Sequence, residues 1–140
     1  MAAPETTDNN TARRITFTVP REWWISANSR MHWANRAART RTLRGYARLE
    51  TRRQNLTRVN PPVRVVAHIG YPTRRKADPA NAAPTVKALI DGLTDAGVWP
   101  DDSSEYLIGP DFRRDPDPAG KGTYRVRLEI ITIDKETGRR

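Results

Sequence analysis

The chain has 140 residues, a formal net charge of +9, a mean hydropathy of −0.78 and no cysteine. That length fits one domain, and the missing thiols exclude disulfides, thiolate metal sites and cysteine nucleophiles. No apolar run reaches the roughly 20 residues that cross a bilayer, and residues 1 to 14 lack the apolar segment of a secretory signal, so a cytoplasmic protein with no membrane partner is expected.

Residues 1 to 12 and 134 to 140 read as disordered tails, which leaves 13 to 133 as the folded domain. In RRITFTVP, residues 13 to 20, Ile15, Phe17 and Val19 alternate with polar neighbours, the period of a half-buried strand that Pro20 stops. REWWISANSRMHW follows with no period and predicts a loop whose Trp23 and Trp24 pack into the core; base stacking is the other use of such side chains. Residues 37 to 56 predict a helix in which Arg41, Arg44, Arg48 and Arg52 share one face, with Leu43, Tyr46 and Ala47 opposite.

A second strand is expected over 61 to 72, with Val63, Val65, Ala67, Ile69 and Tyr71 on one side. Val86, Leu89, Ile90 and Leu93 then fall at the spacing of a helical apolar stripe, with Pro84 in the first turn and Gly97 at the C-terminal cap. A short strand near 105 to 112 and a last one over 122 to 133 complete the order strand, helix, strand, helix, strand, strand, without internal repeats. The expected fold is mixed α/β (α+β): one small domain with a central sheet and two main helices.

Charge is sorted along the chain. Residues 23 to 77 hold twelve arginines and Lys76 against the single acid Glu50, whereas 78 to 118 hold nine acids against Lys87, Arg113 and Arg114. Such a basic stretch suits a polyanion, with nucleic acid the first candidate. Four arginines on one helix face repel in isolation, a cost that phosphates remove, and no acid interleaves on that face to form helical ion pairs. Arg74, Arg75 and Lys76 add a basic turn.

Asp78 stands where the second strand gives way to the second helix, and Asp101 and Asp102 stand just past that helix. A loop returning toward the sheet would bring Asp78 and Asp102 together. Converging carboxylates take up a proton or hold a divalent cation, and oxygen-only ligands suit Mg²⁺ or Mn²⁺. Such an ion beside a phosphate activates water and neutralises charge on a scissile phosphodiester, the chemistry of a nuclease. A structural use of the same residues stands beside this one, because Asp before Pro caps helices and PDD makes turns. His32 and His68 lack a second ligand nearby in sequence, and neither a Gly-rich phosphate loop nor a serine nucleophile motif occurs.

RRKADPAN followed by KALIDGLTDAGVWPDD resembles the signature of the RusA family of Holliday junction resolvases: a basic turn, an acid, Asn, a helix with Lys and Asp, then an aromatic and an Asp pair. VRVVAHIGYP and ANSR also fit, so the resemblance spans about residues 13 to 133, with its specificity in 74 to 102. It implies a homodimeric, RusA-like endonuclease that uses Mg²⁺ or Mn²⁺ to place paired nicks in four-way DNA junctions, in recombination and repair within a bacterial or phage-infected cell. Asp78 matches the family's first catalytic aspartate, Lys87 its active-site lysine and Asp102 the second member of its late Asp pair. Asp91 and Asp101 match further acidic positions and join Asp78 and Asp102 in the implied metal-ligand set. Arg41, Arg44, Arg48, Arg52, Arg74, Arg75 and Lys76 would bind the junction arms.

The chain departs from the family in two places. Ala80 stands where an aspartate often precedes the Asn, and AAPTV lengthens the stretch between Asn81 and Lys87. Asp91 or Asp101 would complete the ion's shell. Without such a replacement the same fold would be a non-catalytic junction-binding or architectural DNA protein.

Overall fold

Ile15, Phe17 and Val19 are fully buried, as the alternation in β1 (Ala12–Pro20) requires. The computed structural model describes residues 12 to 133. The expected tails lie outside these residues, except that Ala12 already belongs to β1. After β1 come α1 (Trp33–Arg53), β2 (Val63–Gly70), α2 (Ala83–Asp95), β3 (Leu107–Arg114) and β4 (Thr123–Thr132), with short 3-10 turns at Arg21–Trp23 and Pro79–Ala82. They form one small domain of mixed α and β content, a four-stranded mixed sheet with two helices, as expected in order and number.

The strand order is β1-β4-β2-β3, antiparallel from β1 to β4 and β4 to β2, and parallel from β2 to β3. Val63, Val65, Ala67 and Ile69 of β2 and Val126, Leu128 and Ile130 of β4 share one buried cluster with Leu43 and Ala47 of α1 and Val86, Leu89 and Leu93 of α2. The helices therefore cover one face. The α2 stripe fills the core as its spacing predicts, and Pro84 lies in its first turn. Gly97, at φ 85°, ends the helix with the N–H of Val98 donating to the Leu93 carbonyl at 3.1 Å and that of Gly97 to Thr94 at 3.0 Å.

The first helix begins four residues earlier than the expected 37 and ends three before 56. The imidazole Nδ1 of His32 accepts from the Ala34 N–H at 3.2 Å and caps it, a role that Ser, Thr, Asp and Asn more often fill. Glu50 is 7% exposed on its inner side, held by Arg53 through two bonds of 2.8 Å, and Gln54 Nε2 donates to it at 2.6 Å. Gln54 also seals the open edge of β1: its Oε1 accepts from the Thr16 N–H at 3.0 Å, and Tyr46 OH accepts from that of Thr18 at 3.0 Å. Trp24 is buried and stacked on Tyr124 at 3.9 Å, and Trp23 meets the edge of Tyr46 at 5.3 Å, so this pair packs as expected. Trp33 is 75% exposed.

Candidate functional site

The helix end at Gly97 decides where the acids go. Beyond it Val98 and Trp99 are buried, and the Trp99 indole N–H donates to Thr94 Oγ1 at 2.7 Å, which pins the returning chain against α2. Asp102 thereby comes back alongside the helix. Lys87 Nζ donates to Asp91 Oδ1 at 2.9 Å and to Asp102 Oδ2 at 3.2 Å, and the Asp91 and Asp102 carboxyls are within hydrogen-bonding reach of each other. Lys87 and Asp91 are four apart and so share a helical face. Helical spacing alone places that pair together; the return of Asp102 to it depends on the buried Trp99.

One ammonium serves two carboxylates here. The hydrogen bond that Lys87 donates to Asp91 raises the Lys87 pKa against the opposing effect of burial, and Asp102 adds to the rise. Burial pushes the Asp102 carboxyl up, but the Lys87 hydrogen bond and charge more than offset it and leave it below the usual range. At neutral pH Lys87 is therefore a cation and Asp102 an anion. A pocket of about 340 Å³ opens beside them, walled by Ala83, Ile90, Leu107, Pro110 and Phe112.

Asp78 stands apart from this cluster. Its Oδ1 accepts from the Ala80 N–H at 3.0 Å, capping the turn that leads into α2, and it has no hydrogen bond or ion pair with Lys87, Asp91 or Asp102 among the described residues. The local rule for Asp before Pro governs it. Asp101 is exposed, its Oδ1 accepting from the Ser103 N–H at 2.7 Å in a tight turn.

The arginine face of α1 is broken by one acid that its own sequence does not contain. Arg44 grips Asp95 of α2 through two bonds of 2.9 and 3.0 Å. An acid 51 residues away thus supplies the partner missing from the helix. Arg41, Arg48 and Arg52 remain exposed, and Arg48 and Arg52 line a pocket of about 480 Å³ that includes Asp95. Arg74, Arg75 and Lys76 are exposed on the loop between β2 and α2. His32 is the cap described above, and His68 Nε2 lies 3.1 Å from Glu129 on the sheet face away from the helices.

Two positions carry no signal in the sequence. Thr85, fully buried, accepts from the Ile25 N–H at 2.8 Å and donates to its carbonyl at 2.9 Å, tying the tryptophan loop to α2. Arg114 holds the basic loop from beneath, through carbonyls whose positions no local pattern encodes.

For a divalent ion, Asp91 and Asp102 offer oxygen donors in the number with which Mg²⁺ commonly binds before phosphate oxygens and water complete its shell. Among the described residues no group of three or more His, Asp or Glu converges. Among the same residues no helix is long and apolar enough to cross a membrane. No protein-family model matches the chain, and no curated protein is significantly similar to it.

Proposed function

We propose that this protein is a metal-dependent endodeoxyribonuclease of RusA-like type that cuts four-way or related branched DNA. The observation that carries the reading is the cluster of Lys87, Asp91 and Asp102, with one more negative charge than positive, beside an open pocket in a chain of net charge +9. Asp91 and Asp102 would hold Mg²⁺ or Mn²⁺, which supplies charge neutralisation and activation of water. Lys87 remains protonated, so it stabilises negative charge growing on the phosphate and does not act as a base. Asp102 remains ionised and so is a ligand or acceptor, not a proton donor. Arg41, Arg48 and Arg52, with Arg74, Arg75 and Lys76, bind phosphates of the arms. Two matched cuts in a two-fold symmetric junction call for two sites related by the same symmetry, hence a homodimer.

The test is a labelled synthetic four-way junction incubated with Mg²⁺ or Mn²⁺ beside linear duplex. Paired nicks confined to the junction, lost in Asp102→Asn, support the reading. Asp78→Asn separates the two roles of that residue, since asparagine keeps the cap and removes the charge. Unchanged cleavage would limit Asp78 to capping; lost cleavage would make it a ligand.

A second reading is favoured by one observation: Asp78 serves its cap and Ala80 offers no carboxylate, so the ligand set is short of the RusA pattern. On that reading the protein binds branched DNA without cutting it. A junction retarded on a gel but intact across divalent metals would decide for it.

A further inference from the structure

Arg114, the last residue of β3, spends its charge on backbone carbonyls and forms no ion pair among the described residues. Its guanidinium donates to the carbonyl oxygens of Thr73 at 3.2 Å, Arg75 at 3.0 Å and Ala77 at 3.3 Å, and lies 4.8 Å from the centre of the Tyr71 ring. The Tyr71 hydroxyl in turn donates to the Asp78 carbonyl at 2.9 Å. Arg114 Nε is buried without a partner, a cost that the three carbonyl bonds offset.

In a trans peptide the N–H of each residue points opposite to the carbonyl before it. Three carbonyls converging on one guanidinium therefore turn the N–H groups of Arg74, Lys76 and Asp78 outward. All three residues are exposed, and these N–H groups have no acceptor among the described residues. The cation of Arg114 sits behind them, and Arg74, Arg75 and Lys76 of the same loop are exposed. Donors on such a convex turn diverge, so they cannot close on one small anion; they suit successive phosphates of a strand.

We propose that residues 73 to 78 form a phosphodiester-binding ridge whose shape is set by Arg114, acting as a positioning residue. This rests on the nucleic-acid reading above and adds backbone donors to it. The test uses no cleavage: the full-length protein, without divalent metal, is titrated with a short single-stranded oligonucleotide and separately with inorganic phosphate, following backbone amide resonances and fluorescence anisotropy. The oligonucleotide is expected to move the amide signals of Arg74, Lys76 and Asp78 saturably, and inorganic phosphate to leave them nearly still. Arg114→Lys keeps the charge but cannot reach three carbonyls, and should bind about tenfold more weakly. Arg113→Met, which removes a charge from the opposite face of β3, should lose less than about threefold. Wild-type affinity in Arg114→Lys, or an equal loss in Arg113→Met, overturns the proposal. Should Arg114→Lys not fold, the amide titration of the unaltered protein decides alone. Oligonucleotide binding that moves only α1 signals sinks the ridge and spares the nucleic-acid reading, whereas no binding sinks both.

Discussion

Arg44 with Asp95 and Lys87 with Asp91 and Asp102 are both charge clusters on the exposed side of α2, yet they are built to different ends. In the first, a planar guanidinium meets both oxygens of one carboxylate, and charge and geometry close on themselves. It is a strut between the helices. In the second, an ammonium is shared between two carboxylates contributed by a helix and by the loop that returns to it, leaving one negative charge over and oxygens free to bind. The first is closed on itself; the second keeps a negative charge in excess, which the proposed metal site would use.

The largest effect that would break this contrast is on cleavage. Asp102→Asn should lower the rate of junction cutting about 10³-fold, roughly 4 kcal/mol of activation energy, with DNA affinity little changed. Asp95→Asn should leave the rate within about threefold. Equal losses in a single-turnover assay would mean the two clusters do not differ in kind. Next is the contact that aligns them: Gly92 faces α1 so closely that a Cβ would lie 2.5 Å from the Arg44 carbonyl oxygen and 2.6 Å from Ala47 Cβ. Gly92→Ala must push the helices apart and should cost about 2–3 kcal/mol in urea unfolding.

The open cluster was more legible in the sequence than the closed one, and the reason is distance along the chain. Lys87 and Asp91 obey the helical period, and the Val86, Leu89, Ile90 and Leu93 stripe orients that helix, so the pair could be placed from spacing alone. The strands were equally plain, since Ile15, Phe17 and Val19 and the matching residues of β2 follow a period of two. Arg44 and Asp95 are brought together by helix packing through Gly92, which no window of residues reports. Asp78 does not join Asp91 and Asp102 in a group of three carboxylates among the described residues, and its Oδ1 serves a short-range cap. Arg114 holds its loop through backbone atoms that carry no sequence signature. Resemblance supplied the roles, and local periodicity supplied their frame.

A smaller effect would sharpen the contrast. Lys87→Met leaves Asp91 and Asp102 facing each other with no cation. Without divalent metal it should lose less than about 1 kcal/mol, because the lysine side chain is largely exposed. Added Mg²⁺ should then raise its melting temperature more than that of the unaltered protein, since an ion that binds only the folded state stabilises it by mass action. An identical response in both proteins would mean that these carboxylates hold no metal.

The smallest effect lies in acid. The Arg44 hydrogen bond, opposed by slight burial, holds the Asp95 carboxyl below its usual value, and the charges of Arg44 and Arg48 add to this. A carboxyl whose folded pKa is depressed contributes stability that is complete above the unfolded value of about 3.9 and disappears as pH falls through the folded one. Asp95→Asn should therefore cost under about 1 kcal/mol at pH 7, and the gap from the unaltered protein should begin to narrow below about pH 4 and vanish once pH has fallen through the folded pKa. The same substitution frees Arg44 from its carboxylate. If the α1 face meets phosphates, the variant should bind DNA more tightly, with the salt dependence of log affinity steeper by about 0.9, the increment for one additional phosphate neutralised. Unchanged salt dependence would confine Arg44 to its strut and leave the phosphates to Arg41, Arg48 and Arg52.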